Sequence, residues 1–234
     1  MKIKETLKVI RKDGINFMLD DKGKIRKFKP WLGDLFAFAY DSIMQKSIFP
    51  KKFKGSISNH LEILKKEYHP IQSKIILEIA TGSGFSSEIL SKNNSYTGID
   101  ISVGLLKQAV RKFKEQNFPD AEFFVSPAND LPFNNQFFDI VICDLSLNFL
   151  GDLDNFIKEI KRVMKTGSVF YCSVPVPEKK DSKVVIHGNL YSENELKTNF
   201  EKYNFVFTPR PAENGALLYF KARLLLNEKN KTCP

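Results

Sequence analysis

From residue 74 the chain alternates short apolar runs with amphipathic stretches, and this alternation limits the fold more than any other feature. Ile75–Ala80, Tyr96–Asp100, Glu122–Val125, Phe138–Asp144 and Ser168–Val174 read as strands. The fourth is almost wholly apolar, as expected of a central parallel strand. Helical segments fall between them: near 85–92, over 102–116 with Ser102 as cap, and over 152–165 with Phe156, Ile157, Ile160 and Val163 on one face. A helix over 193–203 follows, with Ser192 and Glu195 spaced as a capping box. Phe205–Thr208 and Leu217–Leu224 then read as an antiparallel pair at the sheet edge. The pattern specifies an α/β, doubly wound, mostly parallel sheet, with its ligand site at the carboxyl ends of the central strands.

Residues 1–73 follow a different pattern and are expected to form an N-terminal β/helical extension to a domain spanning 74–234. A small β element fits 7–29, with a turn at Asp21–Gly23. A helix fits 31–48, placing Leu35, Phe36, Ala39, Ile43 and Met44 on one face, with Pro50 ending it. A second helix fits 56–68, capped by Ser56 or Ser58, with Leu61, Leu64 and Tyr68 inward. His60 and His69 read as surface residues of that helix. The charge is uneven: residues 1–73 hold 16 Lys/Arg against 8 Asp/Glu, whereas residues 74–234 hold 20 against 19. Such a basic excess can meet nucleic acid or an anionic membrane surface. A solubilising surface explains it as well and is preferred, because charge runs are weak motifs. The 3 cysteines, Cys143, Cys172 and Cys233, are too few and too scattered for a structural zinc site or a disulfide framework. No metal is expected. No apolar run is long enough to span a bilayer, and no secretory leader is evident, so a reducing cytoplasm is the expected compartment.

The turn after the first strand, Leu77-Glu-Ile-Ala-Thr-Gly-Ser-Gly84, leads from strand to helix, and Asp100 ends the next strand. Gly82 and Gly84 allow a tight turn and close approach of backbone to a ligand. A carboxylate at Asp100 can accept both hydroxyls of a ribose. NAD fits poorly, because the third glycine of its fingerprint falls at Ser87 and because Glu78 would repel a pyrophosphate. Glu78 suits the ammonium of an amino-acid moiety instead. A phosphate loop of the Gly-Lys-Ser/Thr kind is absent.

Taken in order, Leu77–Gly84, Tyr96–Asp100, Leu131–Phe133 with Phe138–Asp139, and Glu159–Gly167 resemble the class I S-adenosylmethionine-dependent methyltransferases. Within these, the chain is most similar to the small-molecule branch that includes the ubiquinone/menaquinone-biosynthesis methyltransferases. The resemblance implies a seven-stranded sheet, S-adenosylmethionine as cofactor and S-adenosylhomocysteine as product. It assigns Glu78 to the methionine end, Gly82 and Gly84 to close approach, Asp100 to the ribose and Ile101 to the adenine. Ala128, Asn129 and Asp130 would border the adenine, and Asp144 and Leu145 the methionine moiety. Asn148 would fill the polar slot a few residues later and face the acceptor; Tyr40, on the N-terminal helical segment that can fold over the cofactor, is a further candidate substrate contact read from its position. Two positions depart from the family pattern: Ala80 stands where the first glycine is usual, and Pro127 replaces an acid before Ala128.

Methyl transfer from a sulfonium needs alignment and desolvation, and a base when the acceptor must lose a proton. Asp41, His187 and Tyr191 are the candidates for that base. Residues 30–70, with Leu35, Phe36, Phe38, Ala39, Met44 and Phe49, are expected to form a substrate lid. The run after the fourth strand, Asp144-Leu-Ser-Leu147, lacks the Asn/Asp-Pro-Pro-aromatic pattern of enzymes that methylate base amines. The acceptor is therefore expected to be a small, partly apolar metabolite. An RNA methyltransferase using the basic region, and a degenerate binding or scaffold protein, are the alternatives.

Overall fold

The computed structural model describes residues 3–28 and 39–226. Among these residues, one nine-stranded sheet organises the molecule. Its strands are β1 (Val9–Lys12), β2 (Ile15–Met18), β3 (Ile75–Ile79), β4 (Ser95–Asp100), β5 (Ala121–Val125), β6 (Phe138–Asp144), β7 (Met164–Pro175), β8 (Phe205–Pro209) and β9 (Leu217–Leu224). They lie side by side in the order β1-β2-β5-β4-β3-β6-β7-β9-β8. The run from β2 to β7 is parallel, while β1 and the β9–β8 pair are antiparallel to their neighbours.

The doubly wound α/β class is as read from the sequence, but the sheet has nine strands and not seven. The two additional strands are the β1–β2 hairpin, turned at Asp13-Gly14 and paired through Ile15–Phe17 with Phe123–Val125 of β5. The small N-terminal β element is thus an edge of the main sheet. The expected terminal pair, β8 and β9, is present, with β9 inserted antiparallel between β7 and β8.

Apolar helix faces cover both sides of the sheet. On one side α4 (Leu153–Val163), capped by Asp152, buries Leu153, Phe156, Ile157, Ile160 and Val163, and α5 (Glu193–Lys202), with the Ser192–Glu195 capping box, buries Leu196 and Phe200. These residues join Leu77, Ile79, Val141 and Phe170 in one core cluster. On the other side α3 (Val103–Glu115), capped by Ser102, buries Leu105, Leu106, Ala109 and Phe113. Burying each such side chain contributes roughly 1.5–3 kcal/mol, which is what fixes these helices on the sheet.

Two helical segments lie over the carboxyl ends of β3 and β6. α1 (Tyr40–Ile43) runs directly into a widened helix, Met44–Phe53, and α2 (Ile57–Tyr68) follows, capped by Ser56. Pro50 does not end the first of these as expected; the helix continues to Phe53 and stops at Lys54, whose φ is 55°. Widened turns accommodate an interior proline, whose ring in α geometry would clash with the carbonyl four residues back. The Leu35, Phe36 and Phe38 positions lie outside the described residues. The helix expected near 85–92 is a single tight turn, Phe85–Glu88. Two serines there divert local hydrogen bonds: the Ser86 hydroxyl donates to Glu78 and that of Ser87 to the Gly84 carbonyl, at 2.8 Å.

Candidate active site

A cavity of about 310 Å³ opens between the turn after β3, the end of β6, and α1 and α2. This is the low end of the range for small-molecule sites. Among the described residues, four carboxyl side chains line it, those of Asp41, Glu78, Glu88 and Asp144, with Lys112 as the one lysine and Met44, Phe49, Leu61, Leu64, Phe85 and Ile89 supplying apolar wall. A larger hollow, about 680 Å³, lies at the opposite, amino end of the strands between Lys66, Lys74, Lys165 and Arg223. Its acids are tied to its bases: Lys221 meets Glu67 at 2.6 Å and Lys165 meets Asp139 at 2.8 Å. The smaller cavity is the one at the strand ends where parallel α/β sheets place their ligands.

Glu78 is the penultimate residue of β3 and is buried. Its Oε2 accepts from the hydroxyls of Thr81, at 2.9 Å, and of Ser86 and Tyr96. Burial raises its carboxyl to about 7, against these hydrogen bonds, which favour the charged form. The turn that follows carries left-handed backbone at Ala80 (φ 55°), Gly82 (φ 56°) and Gly84 (φ 79°). The two glycines serve different ends. A Cβ on Gly82 would meet nothing closer than the Ala80 carbonyl oxygen and a Tyr40 ring carbon, both 3.9 Å away, so the cavity reaches backbone there. A Cβ on Gly84 would lie 2.6 Å from Cα of Ala109, so this glycine seats the turn against α3. Asp100, at the end of β4, holds the turn in place: its Oδ2 accepts from the Gly82 N–H at 3.0 Å and its Oδ1 from the Ser102 N–H at 2.8 Å.

Asp144, at the end of β6, accepts from the Ser173 hydroxyl through Oδ1, and its Oδ2 lies 3.1 Å from His60 Nε2. Across the cavity Asp41 accepts from Ser83 Oγ and from Lys112 Nζ, each at 2.6 Å, which ties α1 to the glycine turn and to α3. Burial alone would raise the Asp41 carboxyl; the bonds from Lys112 and Ser83 and the charges of Lys112 and Arg111 outweigh it and hold it below its usual range. Tyr40 lines the cavity beside it, its phenol pushed well up by burial and by the charges of Asp100, Asp144 and Asp41.

Residues 77–172 match the family model described as methyltransferase domain. This stretch is similar to a methyltransferase domain. The chain is 34% identical over 105 residues to the ubiquinone/menaquinone biosynthesis C-methyltransferase UbiE of Rickettsia massiliae (strain Mtu5), covering 42% of each. It is 33% identical over 129 residues to the same protein of Rickettsia bellii (strain OSU 85-389), covering 52% of each. The match thus spans about half the length of these curated relatives. Among solved structures, a putative S-adenosyl-L-methionine-dependent methyltransferase from Methanococcus maripaludis superposes with a TM-score of 0.64 at 17% identity, covering 87% of this chain and 99% of that one. A SAM dependent methyltransferase from Aquifex aeolicus gives 0.62 at 18% identity, covering 80% and 98%. At these identities the likeness is one of fold.

Within this stretch and its roof, Glu78, Ala80, Gly82, Asp144, Leu145, Tyr40 and Asp41 line one cavity. Asp100 stands behind the turn, with Ile101 more exposed beside it. Ala128 is half-buried after β5, followed by exposed Asn129 and Asp130, the latter paired with Lys4 at 3.4 Å and Arg26 at 3.5 Å. Asn148 is buried and donates to the His187 carbonyl at 2.8 Å, clamping the loop after β7. The His187 ring is exposed, and the Tyr191 hydroxyl donates to the Gly151 carbonyl at 3.0 Å; neither side chain lines the cavity.

The residue that sequence reasoning misplaced is His60. It is not on the surface of α2 but 2% exposed, wedged against Phe49 with ring centroids 5.1 Å apart. Its spacing carries the signal: His60 precedes Leu64 by four residues and Tyr68 by eight, which puts it on the buried face of the helix.

Proposed function

We propose that the protein binds S-adenosylmethionine and transfers its methyl group to a small, partly apolar metabolite in the cytoplasm. The observation that carries this reading is the placement of two acids around one glycine turn, Glu78 at the cavity and Asp100 at the end of the adjacent strand. Among the described residues, four carboxyl groups against one already paired lysine suit a cationic guest and disfavour a phosphate. The open face of Gly82 leaves room for a ligand against backbone. Bound S-adenosylmethionine supplies a methyl group on a sulfonium, and the protein's part is to hold, align and desolvate. Glu78 would meet the ammonium of the methionine moiety, and Asp100 the ribose hydroxyls. Ile101 and the 128–130 segment would border the adenine. α1 and α2, with Met44, Phe49, Leu61 and Leu64, form the lid that excludes water from the acceptor.

Isothermal titration with S-adenosylmethionine and S-adenosylhomocysteine tests the first half of this reading. Asp100→Ala is expected to weaken both ligands by about 1–3 kcal/mol, because the hydroxyls it receives are left poorly satisfied. Folded wild-type protein that binds neither at millimolar ligand would overturn the reading. Transfer of radiolabelled methyl into a fractionated cell extract tests the second half. Label in organic-extractable or small polar metabolites is the expected result, and label confined to RNA would refute it.

A further inference from the structure

A buried chain of hydrogen bonds reaches the cavity at Asp144. It starts at the Ser56 N–H, which donates to Asn214 Oδ1 at 2.8 Å. Asn214 Nδ2 donates to the Tyr219 hydroxyl at 3.2 Å, and Tyr219 lies 2.9 Å from His60 Nδ1. His60 Nε2 in turn lies 3.1 Å from Asp144 Oδ2. A carboxylate only accepts, so His60 Nε2 donates to Asp144; in that tautomer Nδ1 accepts, and takes the Tyr219 O–H. One Asn214 N–H turns back to the Ser56 carbonyl, at 2.9 Å; from the other, the donors run through Tyr219 and His60 to Asp144. Ser173 supplies a donor to the other oxygen of the same carboxylate.

Asn214, Tyr219 and His60 are 4%, 3% and 2% exposed, whereas the Asp144 side chain is 19% exposed and lines the cavity. Such a buried polar array is costly, and apolar side chains of similar volume would often stabilise a protein as well or better. What the array does achieve is to fix one carboxylate at a cavity wall, with lone pairs left over on both oxygens.

Building on the methyltransferase reading, we propose that Asp144 is the catalytic base of this site and takes the proton of the methyl acceptor, with His60 as the positioning residue that aims its carboxylate. The acceptor's O–H, N–H or acidic C–H bond breaks, and its electron pair forms the bond to the methyl carbon. The former carbon–sulfur pair stays on sulfur, and the proton goes to Asp144, leaving to solvent through the cavity mouth. Of the other lining carboxyls, Asp41 is already committed to Lys112 and Ser83, Glu78 to three hydroxyls, and Glu88 is exposed, so Asp144 is the one whose partners come from behind.

The test pairs two readouts in the full-length protein: affinity for S-adenosylmethionine by calorimetry, and transfer of labelled methyl into a small-metabolite extract at saturating donor. At saturating donor, Asp144→Asn is expected to lose roughly 100-fold or more in transfer, the range for a positioned base, beyond any change in donor affinity measured alongside. Added formate is expected to restore part of the transfer to Asp144→Ala. His60→Phe is expected to lower transfer about tenfold, and His60→Gln, whose amide can still donate to Asp144, to recover part of that. A readout that needs no acceptor is the ¹⁵N resonance pattern of His60, expected to show the Nε2-protonated tautomer. Unchanged transfer at saturating donor in Asp144→Asn, or the Nδ1-protonated tautomer, would each overturn the proposal alone. Wild-type protein that binds no S-adenosylmethionine would overturn the parent reading and this one together.

Discussion

The floor of the cavity and its roof are built from different kinds of contact. On the floor, partners are close in sequence: Thr81 and Ser86 reach Glu78 across 3 and 8 residues, and Gly82 reaches Asp100 across 18. In the roof they are distant: Asp41 pairs with Lys112 across 71 residues, and His60 with Asp144 across 84 and Tyr219 across 159. The floor is therefore a device of one turn between two adjacent strands, formed once β3 and β4 pair. The roof depends on the whole sheet being assembled first. A site divided this way can hold a ligand with local parts and close over it with remote ones.

The sharpest way to break the comparison is within the floor, at its two glycines. Gly84→Ala must place a methyl 2.6 Å from the α3 backbone in the left-handed region. The conformation costs roughly 1–2 kcal/mol and the overpacking roughly 1–3 more, so a loss of about 2–5 kcal/mol in urea unfolding is expected. Gly82→Ala faces open space and should cost only the first term, about 1–2 kcal/mol, while its methyl enters the cavity and weakens donor binding. Equal losses in the two variants would mean that the turn does not dock on α3 as described.

Second in size is the pH dependence set by Glu78. Its carboxyl is raised from the usual 4.5 to about 7, chiefly by burial. A carboxyl raised in the folded state stabilises that state below its unfolded value and ceases to do so as pH rises through the folded value. The unliganded protein should therefore lose stability between about pH 4.5 and 7, on the order of 3 kcal/mol from this group. Unfolding midpoints of wild type and Glu78→Gln at about pH 5 and pH 8 isolate it: the difference between the two proteins should change with pH in that sense. A cationic ligand would pull the proton off Glu78, so binding near neutral pH should release protons into the buffer. A pH-independent difference would mean that Glu78 is charged throughout.

This division also explains what the sequence disclosed. Strand runs such as Phe138–Asp144 and the Ser192–Glu195 capping box are local signals, and the structure repeats them. The short turn at Phe85–Glu88 was not legible, because Ser86 and Ser87 look helical in pattern until Glu78 and Gly84 are seen to take their hydroxyls. The hairpin's place at the sheet edge was hidden for a similar reason: Ile15 meets Phe123 only through a pairing that no spacing announces. Of the site, Glu78 and Asp100 could be found from the turn they flank. His60 could be placed inward by periodicity, but its partners could not, since Asp144 and Tyr219 come from strands far along the chain.

The smallest effect expected is in the roof, where the Asp41–Lys112 pair closes α1 onto the floor at 2.6 Å. The Asp41 side chain is 54% exposed, so solvent screens much of the attraction and the pair is worth about 0.2–1 kcal/mol. The Asp41 carboxyl is held below its usual 3.8, so its contribution is present above that value and fades as pH falls through the lower, folded one. Asp41→Asn at neutral pH removes the charge but leaves an oxygen for Ser83. Limited proteolysis between residues 40 and 56 should then speed up no more than about fivefold, the Boltzmann equivalent of the upper end of that energy, and 1 M salt should do much the same to wild type. His60 should still hold α2 in the variant, so cleavage beyond residue 57 is expected to stay slow. Acceleration spread evenly over both helices would show that the ion pair, and not the buried chain ending on Asp144, is what keeps the roof closed.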